Sequence, residues 1–361
     1  MIDGQNDQPR TIAEVSEPGE APRVSVVMPV RNEEAFLERS LAAIVEQDYP
    51  ADRLEIIVAD GRSDDGTRRV VESFRDRHAG LRLIDNPQKI AAAGLNQAIR
   101  AARSEIIVRI DGHTIVAPDY VRQCVAALRR TGADNAGGRM TAVGEGPVGR
   151  AVALATSSRF GVGGAAFHYL GREAWVDTVY LGAWPRRVFD RIGLFDESMT
   201  RNQDDELNYR LRAHGGRILL SPAIRSRYHN RSTLRSLARQ YFQYGLWKVR
   251  VLQKHPRQMR PRQLVPALFV AALLASTLAA LLVPAAWWLL LAVAGAYGAL
   301  NLLSSLWTAL RSGPRHLPLL PAVFAILHLA YGAGFLAGLV RFARRWGDRH
   351  GRVPAVDTPV G

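Results

Sequence analysis

Three short acidic clusters hold the side chains of this sequence whose types and spacing could do chemistry. Asp60 begins the run DGRSDDGT, Asp111 begins the run DGH that ends at His113, and Asp204 lies in the run QDDE. Carboxylates are good ligands for divalent cations, and a carboxylate within hydrogen-bond reach of a hydroxyl can remove its proton. The clusters therefore predict a site for metal binding and for base catalysis.

The first two clusters each follow an apolar run that reads as a strand buried on both faces. Strands are predicted at 24–30, 54–59, 81–84 and 105–110, and helices at 33–47, 65–78 and 91–102. This alternation predicts an α/β domain with a mostly parallel sheet and right-handed crossovers. In such sheets ligands bind beyond the carboxyl ends of the strands, where Arg31, Asn32, Asp60, Asp111 and His113 would lie.

Several function classes are disfavoured by what the chain lacks. No Gly-x-Gly-x-x-Gly run follows the first strand and no Gly-Lys-Ser/Thr loop occurs, which argues against dinucleotide-dependent dehydrogenases and phosphate-loop enzymes. The net charge is +14, yet no nucleic-acid-binding module is recognisable, so the basic balance favours phosphorylated small molecules or anionic lipid. Cys124 is the single cysteine, which rules out an intramolecular disulfide and suits a cytosolic catalytic part.

The C-terminal third of the chain is apolar enough to lie in a membrane. Residues 264–310 carry no charge, which fits two helices that meet near Pro284, since one crossing needs about 20 residues. After a polar break at 311–316, residues 319–340 form a third uncharged run. The predicted divisions of the chain are a disordered tail at 1–22, a catalytic domain at 23–230, an amphipathic interfacial helix and linker at 231–263, a membrane region with three apolar helices at 264–340 and a basic tail at 341–361.

The side of the membrane on which the C-terminus lies is left open by the sequence. If the catalytic domain is cytoplasmic and all three helices cross, the arginines of the basic tail lie outside, against the tendency of cytoplasmic flanks to be basic. Those arginines are Arg341, Arg344, Arg345, Arg349 and Arg352. Either one segment is re-entrant or interfacial, or the tendency does not hold for this chain.

Four elements in a fixed order give the sequence a family resemblance. VSVVMPVRNEE, DGRSDDGT, DGH and QDDE follow one another as in the inverting family-2 glycosyltransferases, which this sequence resembles over residues 24–250. Further runs resemble the succinoglycan-biosynthesis type of bacterial exopolysaccharide glycosyltransferase: SSRFGVGG at 157–164, VDTVYLG at 176–182, NQDDELNYR at 202–210, YGLWK at 244–248 and HLAYGAGF at 328–335. The resemblance implies the GT-A fold and transfer of a sugar from a nucleotide-sugar donor.

The resemblance also implies roles for the polar residues at the strand ends. The residues implied to bind the donor are Pro29, Arg31, Asn32, Asp60, Lys89 and Asp111, with Asp60 accepting the N–H group of a uracil-type base. Asp111 and His113 are implied to hold a divalent cation, Mn²⁺ or Mg²⁺. The family's usual Asp-x-Asp ends here in histidine, which favours Mn²⁺ and leaves open a histidine that only caps its loop.

Asp204 is implied to be the catalytic base, because the family's Glu-Asp pair at a helix start aligns with Gln203 and Asp204. Asp205 takes this role if the register slips by one residue. The alternative is that both are first-turn acids favoured by the helix dipole. The family's Gln-x-x-Arg-Trp signature has no match, since Gln240 is followed three residues later by Gln243. The cations and aromatic residues at 240–250 are therefore assigned to an interfacial helix, with the cations on lipid headgroups.

We expect a multi-pass enzyme of the inner (plasma) membrane with a cytoplasmic catalytic domain. It would move glucose from UDP-glucose, with inversion, onto a lipid-linked saccharide in exopolysaccharide biosynthesis, and nucleic acid is not expected as a partner. One alternative is a polyprenyl-phosphate glycosyltransferase, whose acceptor is the lipid phosphate itself. Another is a non-catalytic nucleotide-sugar-binding membrane subunit that lost activity through His113 and Gln203.

Overall fold

The computed structural model describes residues 20–230, 233–348 and 353–356, and within them a single mixed sheet is followed by four long helices. The predicted disordered tail at 1–22 lies almost wholly outside the described residues, as does part of the basic tail at 341–361.

The N-terminal half of the sheet is parallel, as the sequence predicts. Its strands are β1 (Val24–Val30), β2 (Leu54–Asp60), β3 (Leu81–Asp85) and β4 (Ile106–Arg109), in the spatial order β3-β2-β1-β4. Val30 pairs with Asp60, and Val27 pairs with Arg109. The carboxyl ends of these strands and the loops that follow them form one edge of the sheet, which we call the rim.

Helices cover both faces of this parallel half. They are α1 (Glu34–Val45), α2 (Thr67–Glu72) and α3 (Ala91–Ala101), and a 3-10 turn at Arg75–Arg77 replaces the end of the longer second helix that the sequence predicts. Met28 of β1 is buried in the same core as Leu41 of α1, whereas Val27 joins Leu95 and Ile99 of α3 in a second core. Because both faces of β1 are buried, six of its seven residues are apolar instead of every second one.

The second half of the sheet adds antiparallel strands. These are β5 (Thr114–Val116), β6 (Asn135–Val143), β7 (Ala174–Trp175), β8 (Tyr180–Pro185) and β9 (Ile218–His229). β8 lies antiparallel between β4 and β6, and β9 runs parallel to β6, giving the order β3-β2-β1-β4-β8-β6-β9-β5. Parallel pairs still contain most of the paired residues, so the predicted mostly parallel sheet is confirmed. The accompanying helices are α4 (Tyr120–Thr131), α5 (Gly146–Thr156), α6 (Arg159–Val162), α7 (Arg187–Ile192) and α8 (Gln203–Ala213).

Four long helices follow the sheet: α9 (Leu234–Lys254), α10 (Val265–Leu282), α11 (Trp287–Ser312) and α12 (Leu320–Arg341). The last three are long and apolar enough to cross a membrane, as the sequence predicts, and Pro284 lies in the break between the first two. α10 and α11 expose most of their large apolar side chains, whereas protein covers most of α12.

The helix α9 lies between the catalytic domain and α12. Glycines let its backbone approach α12 closely, since a Cβ atom built on Gly245 would lie 2.0 Å from the carbonyl oxygen of Tyr331. A Cβ atom built on Gly334 would lie equally near the carbonyl oxygen of Phe242. Neither glycine can be replaced without moving a backbone, so these positions fix how α9 and α12 pack.

Two cations of α9 do not lie where the sequence places them. Lys248 and Arg250, assigned above to lipid headgroups, are buried and form ion pairs with Asp205 and Asp348. Lys254, one turn beyond Arg250, pairs with the buried carboxylate of Asp196. The expected headgroup contacts are absent for Lys248 and Arg250 because the face of α9 that carries them packs against protein.

Candidate active site

The rim loops after β1 and β2 are tied to each other by hydrogen bonds. Asn32 has a φ of 54°, and its backbone N–H donates to Ser63 Oγ at 2.9 Å while its Oδ1 accepts from the N–H of Asp64 at 3.1 Å. The N–H of Glu33 donates to Thr67 Oγ1 at 2.8 Å. Backbone in the left-handed region is costly for a residue with a side chain and persists only where neighbours hold it. The run SDDGT therefore starts α2 and also fixes the loop that follows β1.

Two cations implied to bind the donor lie beside each other on the rim. Arg31 and Lys89 are both exposed, and Arg31 Nη1 donates to the carbonyl oxygen of Lys89 at 3.5 Å. Lys89 also has a positive φ, of 59°. Pro29 is the next-to-last residue of β1 and is partly exposed. The loops after β1 and β3 thus present positive charge at the same edge of the sheet.

Asp60 ends β2 and is fully buried. Its carboxylate accepts hydrogen bonds from Ser63 Oγ at 2.5 Å and from Arg68 Nη1 at 2.8 Å. These donors use only part of its acceptor capacity, since a carboxylate can accept about four hydrogen bonds, but the side chain is fully buried in this structure. The implied contact between Asp60 and a uracil-type base therefore stays a prediction.

A buried ion pair lies at the end of β4. Arg109 Nε donates to Asp111 Oδ1 at 2.8 Å, and Nη2 donates to Oδ2 at 3.0 Å. Burial opposes charge on Asp111, but Arg109 outweighs it and lowers the pKa of Asp111 below its usual value. Nη1 of Arg109 is buried and has no hydrogen-bond partner among the residues that the structure describes. The site thus holds an ionised carboxylate beside a cation with one unused donor.

His113 lies next to this pair on the loop after β4. Its Nδ1 is 3.0 Å from Glu33 Oε1, and its ring packs edge-to-face on Tyr228 with centroids 5.4 Å apart. No group of three or more His, Cys, Asp or Glu side chains within 20–230, 233–348 and 353–356 could hold a metal ion. Asp111 and His113 offer one oxygen and one nitrogen donor, a set that fits Mn²⁺ if diphosphate oxygens and water complete its shell.

The first turn of α8 carries the two candidate bases. Asn202 precedes the helix with a φ of 59° and donates to the carbonyl oxygen of Tyr244 in α9 at 2.9 Å. Asp205 accepts a hydrogen bond from Lys248 Nζ at 2.7 Å. Asp204 is partly exposed, and burial together with the charge of Asp205 raises its pKa above the usual value. Because Asp205 is held in an ion pair, the arrangement favours Asp204 as the group that exchanges a proton.

Residues far apart in the chain share one electrostatic site. The carboxylates of Asp111 and Asp204 both raise the pKa of Arg109, against the effect of its burial. In turn, Arg109 lowers the pKa of Asp204 and Asp111 raises it. The structure therefore brings Asp111, His113 and Asp204 to one part of the rim, whereas Asp60 is buried beneath it and Arg31 and Lys89 lie on its exposed margin.

Three tyrosines, which we call the tyrosine wall, line this part of the rim: Tyr180, Tyr228 and Tyr244. The hydroxyl of Tyr180 is 2.6 Å from Thr114 Oγ1, and its ring meets that of Tyr228 edge-to-face at 5.9 Å. Gln240 Nε2 donates to the hydroxyls of Tyr228, at 3.3 Å, and Tyr244, at 2.8 Å. Rings with a polar end suit a ligand that has both apolar and polar faces.

Glu206, in the first turn of α8, forms ion pairs with Arg210 and His255. It accepts from Arg210 Nε and Nη2 at 3.0 and 2.8 Å, and it is 3.0 Å from Nε2 of His255. Arg210 also donates to the carbonyl oxygen of Leu194 at 2.7 Å. Burial opposes charge on Glu206, but His255 and Arg210 together lower its pKa to about 2. The segment before α8, which contains the run GLFDE at 193–197, is thus attached to the helix whose first turn carries Asp204.

Sequence reasoning missed Arg109, the pairing of Lys248 with Asp205 and the tyrosine wall. A signal for Arg109 was present, because a lone cation inside the apolar run EIIVRI is expected to have a buried partner. The two-residue spacing also places Arg109 and Asp111 on one face of an extended chain. Lys248 and Asp205 are 43 residues apart, and their pairing depends on how α9 docks.

Comparison with known proteins adds to this geometry. The family model described as glycosyl transferase family 2 matches residues 25–191. The chain is 30% identical over 322 residues to the succinoglycan biosynthesis protein ExoA of Rhizobium meliloti (strain 1021), an alignment that covers 89% of this chain and 96% of that one.

Two further proteins extend the comparison. A dolichyl N-acetyl-alpha-D-glucosaminyl phosphate 3-beta-D-2,3-diacetamido-2,3-dideoxy-beta-D-glucuronosyltransferase of Methanococcus voltae is 24% identical over 239 residues, or 64% of this chain and 74% of that protein. The mannosyltransferase PcManGT from Pyrobaculum calidifontis, solved in complex with GDP-Man and Mn²⁺, superimposes with a TM-score of 0.57 over 90% of this chain and 88% of that one at 24% identity. The last of these shows that the fold is GT-A.

Proposed function

This chain belongs to glycosyl transferase family 2, and we propose that it transfers glucose from UDP-glucose, with inversion, onto a lipid-linked saccharide in exopolysaccharide biosynthesis. The observation that carries the proposal is the position of Asp204 in the electrostatic field of the Arg109–Asp111 pair, at the rim where ligands of parallel sheets bind. The relative from R. meliloti is named for succinoglycan biosynthesis, and this supports the choice of pathway class.

The proposed reaction is a single displacement at the anomeric carbon. The acceptor hydroxyl oxygen forms a bond to that carbon, the bond from the carbon to the diphosphate oxygen breaks, and the nucleoside diphosphate leaves with the bonding electron pair. Asp204 takes the hydroxyl proton, a role for which burial and Asp205 have raised its pKa. Lys248 holds Asp205, so that the neighbouring carboxylate does not compete for the proton.

The leaving diphosphate carries negative charge that the rim must stabilise. Asp111 and His113 would hold the divalent cation, which would supply positive charge at the diphosphate when bound. Arg31 and Lys89 supply further charge from the exposed margin, and the unused Nη1 of Arg109 adds a buried donor. A preorganised set of cations of this kind needs little rearrangement when charge develops on the leaving group.

The acceptor side is assigned to the tyrosine wall and to α9. The hydroxyls of Tyr228 and Tyr244 are fixed by Gln240, and the wall lies between the DGH loop and the helix that leads to the apolar region. The name of the M. voltae relative specifies a sugar on dolichyl phosphate as acceptor, which supports a lipid-linked acceptor for this chain. We accordingly place the enzyme in the plasma membrane with a cytoplasmic catalytic domain.

The test uses the full chain in native membranes with radiolabelled UDP-glucose, Mn²⁺ or Mg²⁺, and a lipid-diphosphate saccharide. We expect label in the lipid fraction, loss of that label without metal, and loss of it in Asp204→Asn. GDP- and dTDP-sugars serve as competing donors. Label on bare polyprenyl phosphate would support the alternative acceptor, and tight UDP binding without turnover would mean a non-catalytic subunit.

A further inference from the structure

We propose that only α10 and α11 enter the lipid, as a hairpin, and that α12 stays on the catalytic-domain side of the membrane, buried against protein. The inference rests on the membrane attachment proposed above. It assigns the hairpin's apolar surface to lipid hydrocarbon and the basic residues at its base to anionic headgroups. All three helices are long and apolar enough to cross a membrane. They differ in what surrounds each of them.

α12 differs from α10 and α11 in how much of it is covered. At the turn between α10 and α11, Leu281, Leu282 and Trp288 are 73%, 73% and 77% exposed. Among the 22 residues of α12, those exposed are Ala322, Leu329, Val340 and Arg341. A large exposed apolar surface requires a partner such as lipid, whereas a helix already covered by protein does not.

The first half of α12 is covered both by α11, where Asn301 Nδ2 donates to the carbonyl oxygen of Pro321 at 3.0 Å, and by the catalytic domain. Ala151 and Ala155 of α5 share an apolar cluster with Val323 and Leu327 of α12. His328 Nε2 donates a hydrogen bond to the carbonyl oxygen of Phe160 in α6 at 2.8 Å. The helices α5 and α6 of the catalytic domain thus contact α12 directly.

The rest of α12 is covered by α9, which runs alongside it in the same direction. Leu237, near the start of α9, packs in the cluster that contains Leu327, and Gln253, near its end, donates to the carbonyl oxygen of Phe342 at 2.8 Å. Between these points a Cβ atom on Gly338 would lie 2.6 Å from the carbonyl oxygen of Leu246. The two helices are therefore in contact from Leu327 to the C-terminal end of α12.

This pairing is incompatible with a transmembrane α12. The same helix α9 also holds the ion pairs Lys248–Asp205 and Lys254–Asp196, whose carboxylates belong to the catalytic domain. If α12 crossed the hydrocarbon, α9 and the first turn of α8 would be drawn in with it. Charged groups are expensive in hydrocarbon, and a sheet domain with polar loops cannot lie there.

A two-helix hairpin also agrees with the tendency of basic residues to flank membrane helices on the cytoplasmic side, whereas three crossings do not. Arginines lie close to the ends of the three helices: Arg260 and Arg262 before α10, Arg311 and Arg315 at the end of α11, and Arg341, Arg344 and Arg345 at the end of α12. With two crossings they all lie on the side of the catalytic domain, and the loop at 283–286 that faces the other side carries no charge. Basic flanks then lie on the cytoplasmic side, as expected.

The hairpin is long enough to cross. α10 has 18 residues and α11 has 26, which at about 1.5 Å per residue reach roughly 27 and 39 Å against a hydrocarbon core of about 30 Å. Trp287 and Trp288 lie at the turn, and Trp307 near the base stacks with Arg311 at 4.1 Å. Tryptophan at both ends of the hairpin fits the two membrane interfaces.

The test is labelling of single cysteines with a membrane-impermeant maleimide in sealed vesicles of both orientations. The variants are Gly171→Cys in the catalytic domain, Ala285→Cys at the hairpin turn and Gly347→Cys after α12, and each position is exposed. The buried Cys124 of the unmodified chain gives the background. We expect Gly171→Cys and Gly347→Cys to label from the same side, and Ala285→Cys to label from the opposite side or only after detergent.

Labelling of Gly347→Cys from the side opposite to Gly171→Cys would overturn the proposal, as would labelling of Ala285→Cys from the side of Gly171→Cys. A chain that is extracted from membranes by alkali would instead refute the membrane attachment, which is a separate result. A second pair avoids cysteine chemistry: Leu300→Lys on α11 should lower the yield of membrane-bound protein severalfold, and Leu329→Lys on α12 by less than twofold. Equal losses from both variants would contradict the proposal.

Discussion

The rim and helix α9 both contain buried charge, but they neutralise it differently. On α9 each buried cation meets one carboxylate, in the pairs Lys248–Asp205, Arg250–Asp348 and Lys254–Asp196. At the rim, the single cation Arg109 lies in the field of two carboxylates, Asp111 and Asp204. Unpartnered donors do not separate the two regions, since Arg109 Nη1 and Arg250 Nε both lack a hydrogen-bond partner among the described residues. One-to-one pairing of charges fixes a structure, whereas a cation shared by two carboxylates leaves groups whose protonation and contacts can change during a reaction.

The boundary between these two regions passes between adjacent residues of α8. Asp205 belongs to the α9 set through its hydrogen bond with Lys248. Asp204 belongs to the rim set, because Arg109 and Asp111 act on its pKa. Substitutions on the two sides of this boundary should therefore affect catalysis and stability differently.

The largest expected effect is on catalysis at Asp204. Asp204→Asn removes the proposed base but keeps its size and one oxygen acceptor, so we expect the rate of UDP release to fall by about 10²- to 10⁴-fold. The urea midpoint should change little, since Asp204 is partly exposed and its side-chain hydrogen bond is to the N–H of its neighbour. Turnover assays with a saturating donor measure the first quantity, and circular dichroism in urea measures the second.

The matched control is Asp205→Asn, which changes the same atoms one residue away. A loss of turnover in Asp205→Asn as large as that in Asp204→Asn would contradict the division between the regions. Asp205 would then be the base, as the alternative register of the sequence allows.

On the α9 side, the substitution Lys248→Met should act mainly on stability. It leaves the Asp205 carboxylate, 24% exposed, without its cation, and removing one partner of a largely buried pair costs about 3–5 kcal/mol. We expect that loss in the free energy of unfolding of the detergent-solubilised chain, measured in urea. Lys248→Arg should keep most of the stability, and the double variant with Asp205→Asn should recover part of it. No recovery in the double variant would mean that Lys248 acts through packing.

The buried Glu206 tests the same idea through pH. Its pKa is lowered to about 2 by His255 and Arg210, so its stabilising effect is present above the unfolded value near 4.5 and is lost as the pH falls towards 2. A shift of this size corresponds to about 3 kcal/mol. Glu206→Gln should lose stability of that order at pH 7 and show a flatter decline of stability between pH 4.5 and 2. Parallel pH profiles for the two proteins would contradict the role assigned to this pair.

The parts of the fold that depend on short stretches of sequence could be predicted. The strand VSVVMPV and the charge-free helices after residue 264 are recognisable because burial on both faces, or a lipid-like environment, removes polar residues from consecutive positions. The polar residues at the ends of β1, β2 and β4 follow from the same reasoning. Family resemblance was needed to single out Asp204 from its acidic neighbours.

The parts that depend on tertiary contact could not be predicted. Hydropathy describes the polarity of a helix but not whether its apolar neighbour is lipid or protein, so the covered state of α12 was not foreseeable. The same limit applies to Lys248, whose assignment to headgroups followed from its place on an amphipathic helix. Its pairing with Asp205 depends on how α9 docks against the start of α8, where Asn202 donates to the carbonyl oxygen of Tyr244.

The smallest expected effect concerns the pH at which Asp204 loses its activity. Burial and the charge of Asp205 raise the pKa of Asp204 above 3.8, so the acid limb of kcat/KM should lie above that value. In Asp205→Asn a negative charge is removed and Lys248 is left as a net positive neighbour. Both changes favour the ionised form of Asp204, so the limb should move to lower pH. In Asp205→Asn/Lys248→Met the second contribution is gone, so the limb should move less. A limb that stays in place in both variants would mean that it reports another group, and the boundary between Asp204 and Asp205 would then have no electrostatic basis.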